Sequence, residues 1–190
     1  ISQTLLSFFP LPNAGTNLFA TTQTLSNNTN QFGIKIDHYL DPRDALSFRY
    51  MFNQLSQIDP LSPGGASVPG FPVGEDQRAQ NFVAQETHTF SPALIGIARF
   101  SFLRNKLLFG EREDHQAPSS LGFQYEPSLD IATGPPFVQV SGYATVGDPI
   151  TGPRNTYENV FDYSGSLSWV RGKHELKFGG GYQRQQINML

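Results

Sequence analysis

The chain has 190 residues, a net charge of −3 and a charged fraction of 15%, which is low against the roughly 25% of soluble domains. It has no basic stripe and no cysteine, so nucleic acid is a poor candidate partner, and a disulfide framework and a cysteine-based zinc site are excluded. No run of 18 apolar residues exists, which excludes a transmembrane helix but not membrane-spanning strands, because their lipid-facing residues alternate with others.

Residues 1–30 are predicted to be an irregular lead-in to the first strand. Pro10, Pro12 and Gly15 punctuate a polar stretch, and the asparagine-rich run at 27–30 is typical of a loop. The chain begins at Ile1, without a methionine or a signal peptide, so we expect a processed chain or a piece of a longer one.

Residues 31–53 are predicted to form a β-hairpin. Apolar residues occupy nearly every second position of both arms, which is the period of a strand with one apolar and one polar face. The arms meet at residues 41–44, where Pro42 stands at the second position of a tight turn. The alternating positions are Phe32, Ile34, Ile36, His38 and Leu40, then Leu46, Phe48, Tyr50 and Phe52.

A second hairpin is predicted at residues 78–104, with its turn at 91–93. The outgoing arm places Phe82, Ala84, His88 and Phe90 on one face, although Glu86 interrupts them. The return arm continues that face with Ala98, Phe100 and Phe102.

Long connections separate the hairpins. Residues 54–77 are too rich in proline and glycine for helix or sheet, and we predict an irregular loop. Residues 105–154 are predicted to be a second long loop, with short extended pieces at 122–125 and 137–141.

The last hairpin, residues 155–188, has the clearest alternation in the chain. Its arms meet at a turn containing Gly172, and each is longer than the usual five or six residues of a globular strand. The three glycines at 179–181 lie within the second arm and predict a bulge or a bend.

These elements predict an all-β fold, a single domain over residues 1–190. It is an antiparallel meander of long hairpins with about six to eight strands, resembling part of an outer-membrane β-barrel. Tight turns alternate with long connections, which is the asymmetry of such barrels. We expect one face of the meander to be apolar and to contact lipid or another subunit. Its predicted residues are Phe48, Tyr50, Phe52, Phe100, Phe102, Tyr157, Phe161, Tyr163, Leu167, Trp169, Leu176, Phe178 and Tyr182.

Four segments resemble one family. Residues 31–50 (QFGIKIDHYLDPRDALSFRY), 86–104 (ETHTFSPALIGIARFSFLR) and 166–186 (SLSWVRGKHELKFGGGYQRQQ) are similar to barrel hairpins of TonB-dependent outer-membrane receptors, in the Oar-like group with a carboxypeptidase-regulatory-like domain. The segment FFPLPN at 8–13 is similar to that group too. The resemblance implies a segment of a barrel in the bacterial outer membrane. Such receptors also have a plug domain and an energy-coupling box, and neither is recognisable in this sequence, so we expect a partial barrel that is not transport-competent alone.

The sequence predicts no catalytic, cofactor or metal site, and no enzymatic activity. His38, His88, His115 and His174 are far apart and lack ligand spacing, and the acidic run at 111–115 lacks the plan of a calcium loop. Three cations, Lys35, Arg49 and Lys177, are expected on the polar face. Trp169, Tyr157 and Tyr182 could stack on a sugar, but an interfacial aromatic girdle is the favoured interpretation.

Two alternatives to a receptor segment remain. A fragment with open strand edges could pair with further copies of itself into an extracellular tube or filament. A soluble β-sandwich that binds a ligand would also explain the alternation and the aromatic residues. The sequence does not identify a ligand.

Overall fold

The computed structural model describes residues 2–61, 63–111, 117–124 and 134–190. Six strands follow a short helix α1 (Ser2–Leu6), and a 3₁₀ helix (Pro118–Leu121) lies in the second long connection. Among the described residues, no helix is long and apolar enough to cross a membrane. The strands are β1 (Ser26–Tyr39), β2 (Asp44–Asp59), β3 (Val73–Ser91), β4 (Leu94–Glu111), β5 (Arg154–Arg171) and β6 (His174–Met189).

The strands form one six-stranded sheet in the order β1-β2-β3-β4-β5-β6, so every strand pairs with its neighbour in sequence. This confirms the predicted all-β meander. A sandwich needs two packed sheets, and the described strands form a single one, so the sandwich alternative does not fit this fold.

Every strand extends beyond the hairpin limits predicted from the sequence. The asparagine-rich run at 27–30, interpreted as a loop, belongs to β1, where the side-chain amide of Asn27 donates to Gln57 Oε1 at 3.4 Å. Residues 54–59 and 73–77 also lie in strands rather than in the first long loop. Pairing with a neighbouring strand outweighs the weak local preference of these polar residues.

The tight turns are closed by local contacts. Asp41 Oδ1 accepts hydrogen bonds from the backbone N–H groups of Arg43 (2.6 Å) and Asp44 (3.0 Å), which is the expected role of an aspartate before a turn. Gly172 has a φ of +62°, a conformation that favours glycine at the first central position of a two-residue hairpin turn. We call the side of the sheet where the short turns join the strands the turn end. The side where the long connections join the strands is the loop end.

The glycines at 179–181 form no bulge. The pairing of β5 with β6 runs without a skipped residue from Arg171↔His174 to Thr156↔Met189. A Cβ placed on Gly179 would lie 2.9 Å from the carbonyl oxygen of Gly165. Glycine therefore allows a close backbone approach at this position, which the sequence pattern could not distinguish from a bulge.

The chain divides into two compact units. The first, which we call the loop unit, comprises Ile1–Asn28, Leu55–Asp76 and Leu107–Asn155. The second, the sheet unit, comprises Thr29–Gln54, Gln77–Lys106 and Thr156–Leu190.

The loop unit has a hydrophobic core, although the sequence predicted mostly irregular loops there. Ala66, Val68, Phe71 and Val146 are each at most 4% exposed, and the Phe8 ring packs edge-on against Phe71 with centroids 5.2 Å apart. Of the predicted extended pieces, the described part of 122–125 lies outside any strand. The piece at 137–141 contributes a single bridge, in which Val138 pairs with Val146.

Candidate functional site: the two faces of the sheet

The predicted apolar residues of β5 and β6 lie on one face of the sheet unit. The strand register places Tyr163 opposite Tyr182, Leu167 opposite Phe178, and Trp169 opposite Leu176. Since residues paired across an antiparallel ladder project to the same side, the two arms share the face that the alternation predicted.

A row of aromatic rings crosses five strands of this face. Phe48 on β2 lies 6.5 Å from Phe82 on β3, measured between ring centroids, and Phe82 lies 6.4 Å from Phe100 on β4. Phe100 lies 5.0 Å from Tyr163 on β5, which lies 6.4 Å from Tyr182 on β6. Such pairs contribute about 0.5–1.5 kcal/mol each beyond the area they bury.

Further ring contacts lie nearer the loop end. Phe32 on β1 stacks on Phe52 at 5.1 Å and lies 6.1 Å from Tyr50. On β4 and β5 of the same face, Phe102 and Phe161 lie 5.0 Å apart.

Three of the predicted aromatic residues lie beneath cations, and one of them is Phe52, beneath Arg78. The Lys106 ammonium lies 5.6 Å from the Tyr157 ring centroid, and the Arg171 guanidinium lies 5.6 Å from that of Trp169. Aromatic residues at both ends of an apolar band fit an interfacial girdle.

The predicted set omitted Phe32, Phe82 and Phe90, which belong to the same face. Phe82 joins β2 to β4 in the aromatic row, and the Phe90 ring covers Gly96, where an added Cβ would lie 2.8 Å from the ring. Each of the three is an even number of positions from other apolar-face residues of its strand. The two-residue period was therefore the sequence signal that could have identified them.

A groove crosses the apolar face between bulky side chains. It has a volume of about 690 Å³, and its lining includes Phe100, Tyr163 and Tyr182 together with the small residues Ala98, Gly165 and Gly180. Gly165 and Gly180 are paired across β5 and β6, so the bare backbone forms part of its floor.

A polar group lies at the turn end of the same face. Asp44 Oδ1 is hydrogen-bonded to His88 Nδ1, and Glu86 places a carboxylate so that the three ligand atoms lie within 4.8 Å of one another. Glu86 is the residue that interrupts the apolar alternation of β3, and in the structure it lies beside Asp44 and His88. Sequence reasoning missed this group because Asp44 and His88 are 44 residues apart.

The opposite face of the sheet unit is polar and contains basic side chains. Lys35, Arg49 and Arg99 line a cavity of about 280 Å³ together with Ser47, Asn81 and Gln85. The ammonium of Lys35 also contacts Asp37 at 2.5 Å. Lys177 lies opposite Ser168, on the polar face of the last hairpin as predicted. The acidic run at 111–115 lies outside the described residues after Glu111.

A meander of long antiparallel strands with one aromatic and one polar face is the architecture of an outer-membrane barrel wall. The family model of the outer membrane beta barrel domain matches residues 1–190. The chain therefore belongs to this family, and its location is the bacterial outer membrane. No curated protein and no solved structure matches the chain.

Proposed function

We propose that the chain forms part of the barrel wall of a TonB-dependent outer-membrane receptor and is not transport-competent alone. The observation that carries the proposal is the contrast between the two ends of the strands. The turns after β1, β3 and β5 are short, whereas the connections after β2 and β4 contribute to a loop unit with its own core. The proposal includes no enzymatic activity, cofactor or metal.

The strands also exceed what a membrane crossing needs. β3 has 19 residues and β4 has 18, against about 9–11 for a tilted spanning strand. Strands of this length continue beyond the hydrocarbon region and present the long connections to the solution, where a receptor meets its ligand.

Specific hydrogen bonds hold two distant parts of the loop unit together. The backbone N–H of Ser67 donates to the carbonyl oxygen of Thr145 at 2.9 Å, and that of Thr145 donates to Ser67 Oγ at 2.8 Å. Thr145 Oγ1 further contacts the carbonyl oxygen of Gly65 at 3.3 Å. A fixed loop arrangement supports ligand recognition, because binding then orders fewer residues.

The receptor role is tested by energy-dependent uptake of large solutes. Cells with and without the full-length gene product are compared for uptake of labelled oligosaccharides, peptides and metal chelates, each with and without a protonophore. A receptor of this class predicts uptake of at least one solute that needs both the protein and the proton gradient. Uptake that survives the protonophore would indicate a passive channel instead, and no protein-dependent uptake would overturn transport.

The apolar face of the sheet unit is proposed to contact outer-membrane lipid. Trp169 is the one tryptophan of the chain, so its emission can be isolated as the difference between the wild type and Trp169→Phe. Brominated phospholipids should quench this emission. A tryptophan placed on the opposite face, Ser168→Trp in the Trp169→Phe background, is the matched control and should be quenched much less. Equal quenching at both positions would argue against a lipid-facing apolar face.

A second candidate function is self-assembly through the outer strands of the sheet into an extracellular tube or filament. β1 and β6 are the outer strands, and all 14 residues of β1 and all 16 of β6 are exposed. Long exposed edges can pair with another chain. Electron micrographs of the concentrated, purified chain decide between the candidates, because only assembly predicts tubes or filaments, and featureless particles would exclude it.

A further inference from the structure

The apolar face of the sheet unit carries its charges in two separate places. Within the sheet unit its carboxylates, Asp44 and Glu86, lie toward the turn end. Four cations lie toward the loop end, where the one further carboxylate of β3 on this side is Asp76, two positions from Arg78. We call these cations the cationic rim, and they are Arg78 on β3, Arg104 and Lys106 on β4, and Arg184 on β6.

Contacts in the structure place three of the four rim cations on the apolar face. The Arg78 guanidinium lies 5.8 Å from the Phe52 ring centroid and donates to Gln54 Oε1 at 3.0 Å. Lys106 lies over Tyr157, and Arg184 is paired with Phe161 across β5 and β6. Arg104 lies two positions from Lys106 in the same strand, so it projects to the same side.

Two aromatic rings and the side-chain amide of Gln54 contact cations of the rim. A cation over an aromatic face keeps its full charge, and Arg78, Arg104 and Arg184 are exposed. The rim therefore presents several positive charges on a surface whose middle is aromatic and apolar.

The distance between the rim and the turn end matches the thickness of a membrane. On β6, His174 and Arg184 lie ten positions apart and enclose Leu176, Phe178, Gly180 and Tyr182 on the same face. Ten strand residues extend about 34 Å, which at a tilt of about 40° covers about 26 Å along the membrane normal, against roughly 25 Å for the apolar band of outer-membrane barrels. The rim thus lies at the level of lipid headgroups.

We propose that the cationic rim binds the phosphate groups of a phosphorylated glycolipid in the outer leaflet. The inference rests on the proposed lipid contact of the apolar face. Long connections of outer-membrane barrels lie on the extracellular side, which assigns the rim to the outer leaflet. Arginine forks pair with phosphate oxygens in two parallel hydrogen bonds, and cations on three strands, β3, β4 and β6, suit a headgroup that carries more than one phosphate.

The test compares glycolipids that differ only in phosphate. The full-length protein is reconstituted in phosphatidylcholine nanodiscs containing bisphosphorylated lipid A or the same lipid with both phosphates removed, and bound glycolipid is measured by native mass spectrometry. Wild type should retain the bisphosphorylated form about tenfold more strongly, and Arg78→Gln, Arg104→Gln, Lys106→Gln and Arg184→Gln together should abolish this preference.

The matched control is Arg171→Gln, because Arg171 also lies over a ring but at the turn end. It should leave the preference unchanged. Because the quadruple variant could fail to fold, Arg104→Gln is measured beside it and should lower the preference partially. Equal retention of both lipids by the wild type, or an unchanged preference in a folded quadruple variant, would overturn the inference.

Two further measurements are made. One distinguishes binding of the glycolipid from binding of free phosphate, and the other tests separately whether the apolar face contacts lipid. Inorganic phosphate at millimolar concentration should not displace the glycolipid, and displacement would mean that the rim binds an adventitious ion only. Quenching of Trp169 by brominated lipid with no phosphate preference would overturn this inference and leave the lipid-facing face standing. Loss of that quenching would instead remove the face on which the inference rests.

Discussion

Tyr163 and Tyr182 lie directly opposite each other on β5 and β6, with ring centroids 6.4 Å apart and an interplanar angle of 27°. They end an aromatic row that begins at Phe48 on β2. The row connects five strands on one face, which makes the aromatic contacts a property of the whole sheet unit rather than of any one hairpin.

Replacing the central ring of this row should weaken the sheet. Phe100 contacts both Phe82 and Tyr163, so Phe100→Ala removes two ring pairs and is expected to cost about 1–3 kcal/mol. The measurement is the midpoint temperature of thermal unfolding in detergent. Unfolding is monitored by the difference in gel mobility between the folded and the unfolded protein. Ser101→Ala, at the neighbouring position on the opposite face, is the control and should leave the midpoint nearly unchanged. Equal midpoints for the two variants would contradict a stabilising role of the row.

The glycines of β6 should differ sharply in their tolerance of a methyl group. A Cβ on Gly179 would lie 2.9 Å from the carbonyl oxygen of Gly165, whereas one on Gly180 would meet nothing within 4 Å. We expect Gly179→Ala to destabilise the protein by about 1–3 kcal/mol and Gly180→Ala to stay within about 0.5 kcal/mol of the wild type. Urea unfolding in detergent measures both. A tolerated Gly179→Ala would mean that β5 and β6 separate at little cost.

The loop unit should loosen when its hydrogen bonds are removed. Thr145→Val keeps the shape of the side chain but eliminates the hydroxyl that contacts Ser67 Oγ at 2.9 Å and the carbonyl oxygen of Gly65. The expected cost is about 0.5–1.5 kcal/mol of local stability, because the hydroxyl loses its hydrogen bonds to the exposed Ser67 and to the buried Gly65. Limited proteolysis of the long connections should become several-fold faster. Thr151→Val, at an exposed position of the same unit, should leave the cleavage rate unchanged.

Asp44 and His88 should behave as a coupled pair. Their side chains are hydrogen-bonded across β2 and β3, and both are only partly exposed. In a double-mutant cycle with Asp44→Ala and His88→Ala, we expect a coupling free energy of about 0.5–1 kcal/mol. The cycle is measured by chemical unfolding at neutral pH. Strictly additive single changes would show that the contact contributes nothing to stability.

The sequence predicts features that depend on neighbouring residues better than features that depend on residues far apart in the chain. Alternation within residues 155–171 predicts β5 and its apolar face, because the two-residue period is a local property of an extended chain. The same reasoning underestimated β1, whose polar start at Asn27 becomes strand by pairing with β2. It also interpreted the glycines at 179–181 as a bulge, although the pairing is continuous.

In the candidate site, too, the local pattern predicted some residues and missed others. The predicted face residues of β5 and β6 are brought together by the register, and Phe32, Phe82 and Phe90 extend the face at positions that the alternation already marked. The polar group around His88 had no local signal, since its partner Asp44 belongs to another strand.

The sequence by itself determined that this is a chain of long two-faced strands joined alternately by short turns and long connections. Side-chain periodicity and turn residues are encoded within a few neighbouring positions, so no tertiary information is needed to identify them. Only the tertiary structure decided which rings meet across the sheet and that Ser67 bonds to Thr145. It also showed that the residues of the long connections share a core. Those contacts join positions tens of residues apart, and their geometry follows from strand register and packing rather than from any local pattern.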